Sequence, residues 1–160
     1  MHLSCKNVTD SHPPAIELNA ESVTIAYEAM EHLWRERCGE RGREYEGERS
    51  GSCKFAALLA RALFGGRLAG NLNHVFVVLP GEGILDLNVG QPDVEALGDK
   101  ALERHDFILL GADYRKSLKS CMPRVLRWAE WAQLAYSMHL SQSAESPNPP
   151  VVAALLRRSP

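Results

Sequence analysis

Residues 50–90 read SGSCKFAALLARALFGGRLAGNLNHVFVVLPGEGILDLNVG, and their apolar periodicity changes partway along. Over 52–64, Phe55, Leu58, Leu59, Ala62 and Leu63 recur at the spacing of one helix face. Gly65 and Gly66 follow, and glycine tolerates the left-handed conformation that ends a helix. Over 75–79 the residues are mostly β-branched or aromatic. Pro80-Gly81-Glu82-Gly83 then makes a turn, and 84–89 is a second such run. That is the pattern of a β-hairpin. A helix followed closely by a hairpin predicts an α+β domain, with a helical layer packed on a small antiparallel sheet. Between the helix and His74 there is room for little beyond a turn.

Working outward, Asn19 suits the N-cap of a first helix. Val23, Ala26, Tyr27, Met30, Leu33 and Trp34 make its apolar face, and Gly39 ends it. Residues 39–52, GERGREYEGERSGS, are charged and glycine-punctuated, and read as a solvated, mobile surface loop. Downstream, Pro92 opens one or two short helices over 93–103, interrupted at Gly98, and 107–110 reads as a third strand. Pro123 stands where a last long helix is expected to begin, because proline fits a first helical turn. Val125, Trp128, Ala129, Ala132, Ala135 and Tyr136 share that helix's face. The reading is one α+β domain over 19–140, an irregular segment over 1–18 and a disordered, proline-broken tail over 141–160.

The 160 residues are 45% hydrophobic, which suits one domain with a substantial core. Eighteen basic and 20 acidic residues give a net charge of −2, so nothing favours nucleic acid or an anionic membrane as partner. No apolar run approaches a membrane span, and residues 1–14 lack the blocks of a signal peptide. The four cysteines, Cys5, Cys38, Cys53 and Cys121, are widely spaced, which argues against a disulfide scaffold. A cytoplasmic protein with reduced thiols is expected.

Chemistry concentrates at Cys53, His74 and Asp86. A thiol nucleophile works as thiolate, and both a helix N-terminus and a nearby imidazole favour that form. The imidazole in turn needs a third group to orient it. Side chains alternate along strands, so His74, Phe76 and Val78 share a face, as do Ile84, Asp86 and Asn88. Pairing Val78 with Ile84 sets Asn88 opposite His74 with Asp86 on the diagonal, and a two-residue shift sets Asp86 opposite. Both Asp86 and Asn88 are therefore candidates for the third role. Tyr45, the large aromatic of the 39–52 loop, and Ser52 are expected to touch substrate.

GSCKFAALLARAL and NHVFVVLPGEGILDLN together resemble the core of transglutaminase-like cysteine proteins, within the wider papain-like group. The resemblance covers about a quarter of the chain. It implies Cys53 as nucleophile, His74 as base and Asp86 as orienting acid, acting without a cofactor on an amide or ester carbonyl of a protein, peptide or small amide. Ser52 and Lys54 flank the cysteine where the family commonly carries an aromatic. Two other readings remain. Cys53, His74, Asp86 and Cys121 lack the close ligand pairs of a structural zinc site, so no metal is expected. A non-catalytic interaction module on the same fold would use Trp34, Trp128 and Trp131. Arg61, Arg67, Arg115, Lys116, Lys119, Arg124 and Arg127 are read as solvated rather than as a nucleic-acid surface.

Overall fold

A computed structural model describes residues 10–144. Its order is α1 (Ala20–Glu40), α2 (Cys53–Phe64), β1 (Arg67–Gly70), β2 (Val75–Val78), β3 (Ile84–Leu85) and α3 (Pro92–Glu95). Two 3₁₀ segments, Gly98–Leu102 and Asp106–Leu110, lead into α4 (Ala112–Ser143). The fold is mixed α+β, with a three-stranded antiparallel sheet in the order β1-β2-β3. Cys5 and residues 145–160 of the expected tail lie outside the described residues.

α1 starts where expected. The Asn19 side chain accepts from the Ser22 amide at 2.9 Å, and the Ser22 hydroxyl accepts from the Asn19 amide at 3.0 Å. This reciprocal cap satisfies two otherwise orphaned donors. α2 is buried on nearly every side: Ala56, Ala57, Leu58, Leu59 and Ala60 are all at most 2% exposed. It packs against α4 on one flank and the sheet on the other. Its alanines let both neighbours approach closely, so α2 is the central element and not a surface helix with one apolar stripe.

The stretch between α2 and His74 holds a strand in place of the expected bare turn. β1 pairs antiparallel with β2, Arg67 opposite Val78 and Gly70 opposite Val75. Four residues including an arginine and a glycine carry too little strand pattern to be read alone. Gly70 has φ of 146°, and a Cβ there would sit 2.3 Å from the His74 carbonyl oxygen. Only glycine fits this close approach. Asn71 then turns the chain, its side-chain oxygen accepting from the Asn73 and His74 amides at 3.0 and 3.1 Å.

Two further expectations are corrected. Residues 107–110 are not a strand but part of the 3₁₀ segment Asp106–Leu110. Only Leu109 of that segment is buried, while Phe107 and Leu110 face outward. The segment closes the free edge of β1: the His105 amide donates to the Gly70 carbonyl and the Gly70 amide to Asp106 Oδ1. Pro123 lies inside α4 and not at its start. Pro123 and Lys119, the residue whose carbonyl loses its usual amide donor to the proline, are both exposed. Leu118, Cys121, Met122 and Val125 are buried on both sides of the proline, so packing carries the helix through.

Candidate active site

The site begins at the first residue of α2. Cys53 is half-buried, and its own amide donates to no group among the described residues. The residues before it are held rigidly: the Gly51 amide donates to Asp93 Oδ2 at 2.8 Å and the Ser52 amide to the Arg49 carbonyl at 3.1 Å. An unpaired N–H at a helix start is a ready donor to negative charge. Beside it, Lys54 reaches across to α4, where its ammonium donates to the Ser117 hydroxyl at 2.8 Å and lies 4.7 Å from the Tyr114 ring centre.

His74 enters from the start of β2 with its side chain fully buried. Its Nε2 donates to Asp86 Oδ2 at 2.8 Å. Its other ring nitrogen, Nδ1, is buried with no hydrogen-bond partner. Burial alone would push the imidazole's pKa down. The hydrogen bond and charge of Asp86, together with the neighbouring Cys53 sulfur, outweigh it and raise the pKa to about 9. With Nε2 committed to Asp86, Nδ1 is the ring atom left for the thiol.

The choice between Asp86 and Asn88 follows from where β3 stops. Of the two registers the sequence left open, the hairpin takes the one with Val78 opposite Ile84 and Val77 opposite Leu85. Extending it would place Asn88 across from His74. β3 instead ends at Leu85, and the Asn88 amide folds back onto Asp86 Oδ1 at 2.8 Å. The diagonal neighbour Asp86 therefore meets the imidazole. Asn88 turns the other way and is fully buried, its side-chain oxygen accepting from Arg49 at 2.6 Å and Ser52 at 3.0 Å.

Arg49 is the residue that the sequence misassigned most. It falls in the loop read as solvated, yet it has no exposed surface. Its guanidinium donates to Glu31 Oε2 at 2.8 Å, to Asn88 and to the Leu87 carbonyl at 2.7 Å, and stacks 4.7 Å from the Tyr27 ring centre. Its amide donates to the Gln91 side chain. One side chain thus ties the segment leading into Cys53 to the segment following Asp86. The only sequence signal was its place four residues before the candidate nucleophile.

Ser52 is buried, with its hydroxyl donating to Asn88. Tyr45 is partly buried against the core beneath the Arg35 guanidinium, 4.9 Å away, with its hydroxyl buried and unpartnered. Tyr114 and Cys121, both on α4, lie within electrostatic reach of Cys53. Burial pushes each of their pKa values up, and Cys53 adds to both. Of the three tryptophans only Trp131 is exposed, and Arg61 is buried with its guanidinium on the Asp10 carbonyl. Among the described residues no helix is long and apolar enough to cross a membrane. Compared with family models, curated proteins and solved structures, the chain gives no significant match.

Proposed function

We propose that the protein is a cysteine-dependent hydrolase or acyltransferase of the transglutaminase-like, papain-like type, acting on an amide or ester carbonyl through Cys53, His74 and Asp86. The imidazole carries the proposal: a buried His74 with one nitrogen on Asp86 at 2.8 Å and the other unpartnered, beside a thiol at a helix start. In this reading Asp86 fixes the imidazole's orientation and stabilises its charge, while Cys53 and His74 share one proton. The sulfur attacks the carbonyl carbon, and the C–S bond forms as the carbonyl π pair moves onto oxygen. The free Cys53 amide is placed to receive that oxyanion. Collapse breaks the C–N or C–O bond, and His74 gives its proton to the departing amine or alcohol. Water or an amine then attacks the thioester, passing its proton to His74 and releasing Cys53.

The test is alkylation of the folded protein with limiting iodoacetamide at neutral pH, read by mass spectrometry, alongside a panel of ester and amide substrates. Cys53 should label first, and Cys53→Ser should abolish turnover of any ester or amide substrate that the parent chain cleaves. Labelling of Cys5 or Cys38 with Cys53 untouched, across the pH range, would overturn the assignment.

An interaction module is the second reading, and one surface supports it. Trp131, Leu134 and Met138 lie on one face of α4, each more than 40% exposed. Partner capture that survives Cys53→Ala and is lost in Leu134→Glu would favour it.

A further inference from the structure

A cleft of about 330 Å³ opens on the acid side of the His74–Asp86 pair, where neither Cys53 nor His74 lines it. Its walls combine the apolar side chains of Ile84, Val94 and Leu102 with the carboxylates of Asp86, Glu95 and Asp99. No basic side chain lines it. Among the described residues neither Glu95 nor Asp99 forms an ion pair, and the only cation on Asp86 is His74. Asp86 is already paired with His74, so Glu95 and Asp99 are the cleft's two negative groups without a cation among the described residues. The carboxylates do not converge as metal ligands do: no group of three or more His, Cys, Asp or Glu side chains among the described residues is arranged to hold an ion. Apolar wall between the charges suits an aliphatic stem that carries the cation.

We propose that this cleft binds an alkylammonium group, its stem against Ile84, Val94 and Leu102 and its charge among Asp86, Glu95 and Asp99. Because Asp86 belongs to both the cleft and the triad, occupancy is sensed at His74. The bound cation draws on a carboxylate that also serves the imidazolium and the Asn88 amide, and so loosens His74's hold on its proton. The binding step requires nothing of Cys53 chemistry. The sensing step concerns the triad of the proposed enzyme and is read separately.

Hexylammonium, with 1-hexanol as its neutral counterpart, is titrated at low salt into the isotopically labelled full chain. The carboxylate signals of Glu95 and Asp99 and the ring signals of His74 are followed by NMR. Hexylammonium should shift the cleft signals saturably and lower the His74 pKa, and 1-hexanol should bind at least about tenfold more weakly. Glu95 and Asp99 are exposed, so the double variant Glu95→Gln/Asp99→Asn should fold; it should bind hexylammonium at least about tenfold more weakly. Nα-acetyl-lysine N-methylamide separates two sources of the cation. Equal binding identifies a peptide lysine, and weaker binding identifies a free amine. Equal binding of 1-hexanol, undiminished binding in the double variant, or no saturable shift overturns the proposal. Failure of Cys53 to alkylate in the ligand-free protein leaves these binding readouts intact, so the two ideas fail separately.

Discussion

His74 is one imidazole under opposed influences, and the balance is testable residue by residue. Burial favours its neutral form, while Asp86 and Cys53 favour the charged one and prevail. Asp86→Asn removes the charge and keeps the shape, so the His74 pKa should drop by NMR from about 9 to below that of a free histidine as burial takes over. If the proposed chemistry holds, Asp86→Ala should lower turnover by about 10²–10⁴, the usual range for lost acid–base assistance. Asn88→Ala should lower it less, because Asn88 does not touch the ring; its measured cost should appear in urea denaturation instead. The reverse ranking would move the orienting role to the amide. Arg49 makes the opposite kind of residue-scale case, since its work is cohesion. Arg49→Met takes a donor from the Glu31 carboxylate, the Asn88 oxygen and the Leu87 carbonyl. Glu31 is 32% exposed and water can take it up, but the buried Asn88 and Leu87 oxygens have no such replacement for the Arg49 donor. Each such loss costs about 1–3 kcal/mol, and equilibrium denaturation should show a loss of that order. Arg49→Lys should rescue little, because one ammonium cannot reproduce three donors set in a planar fork.

Among the elements, α2 and α4 owe their stability to different sources. α2 is short but enclosed, and its packing on α4 and the sheet replaces what its length lacks. α4 is long, half-solvated and interrupted by Pro123. A proline inside a helix costs about 3 kcal/mol relative to alanine, yet this one sits on the wet face and displaces no core group. Pro123→Ala restores a bond to the Lys119 carbonyl with no loss of burial. It should raise stability by about 1–3 kcal/mol and raise the melting temperature, with Cys53 labelling unchanged. A melting temperature at or below that of the parent chain would mean that the proline sets a bend on which the α2 contact depends. The α+β reading, the first helix, the cysteine helix and the hairpin turn were all legible at this scale, because each rests on periodicity or turn chemistry within a dozen residues. β1 and the 3₁₀ segment Asp106–Leu110 were not, because each is defined by its contact with the other and with β2.

For the whole molecule, the buried His74–Asp86 pair links stability to pH. The imidazole binds its proton more tightly in the folded chain, with a pKa of about 9, than in the unfolded one, where it has the ordinary value of 6.5. Protonation therefore favours the folded state. The contribution is full below about pH 6.5, declines as pH rises and is gone above about pH 9. Its size is on the order of 3–4 kcal/mol, from 1.36 kcal/mol per pKa unit. Urea midpoints measured from pH 6 to 10 should fall across that window, and His74→Phe should flatten the fall. An equal slope in the variant would assign the pH dependence to other groups.

The sequence alone determined the features that depend on near neighbours: the Asn19 cap, the helix that Cys53 opens, the glycine stop at Gly65, and the presence of a hairpin turn over 80–83. It also put Cys53, His74 and Asp86 in their order along the chain. Only tertiary structure decided which residue His74 meets. The observed register, carried further, would set Asn88 across from His74, but β3 breaks off after Leu85, and Asn88 is drawn away to Arg49 and Ser52, some 39 and 36 residues earlier in the chain. Tertiary structure likewise turned Arg49 from an apparent surface charge into a buried tie. A charge in a glycine-rich loop reads as solvated until the fold supplies Glu31, Asn88, the Leu87 carbonyl and the Tyr27 ring from separate parts of the chain. Those partners compensate the desolvation of the guanidinium, and no local pattern encodes their convergence.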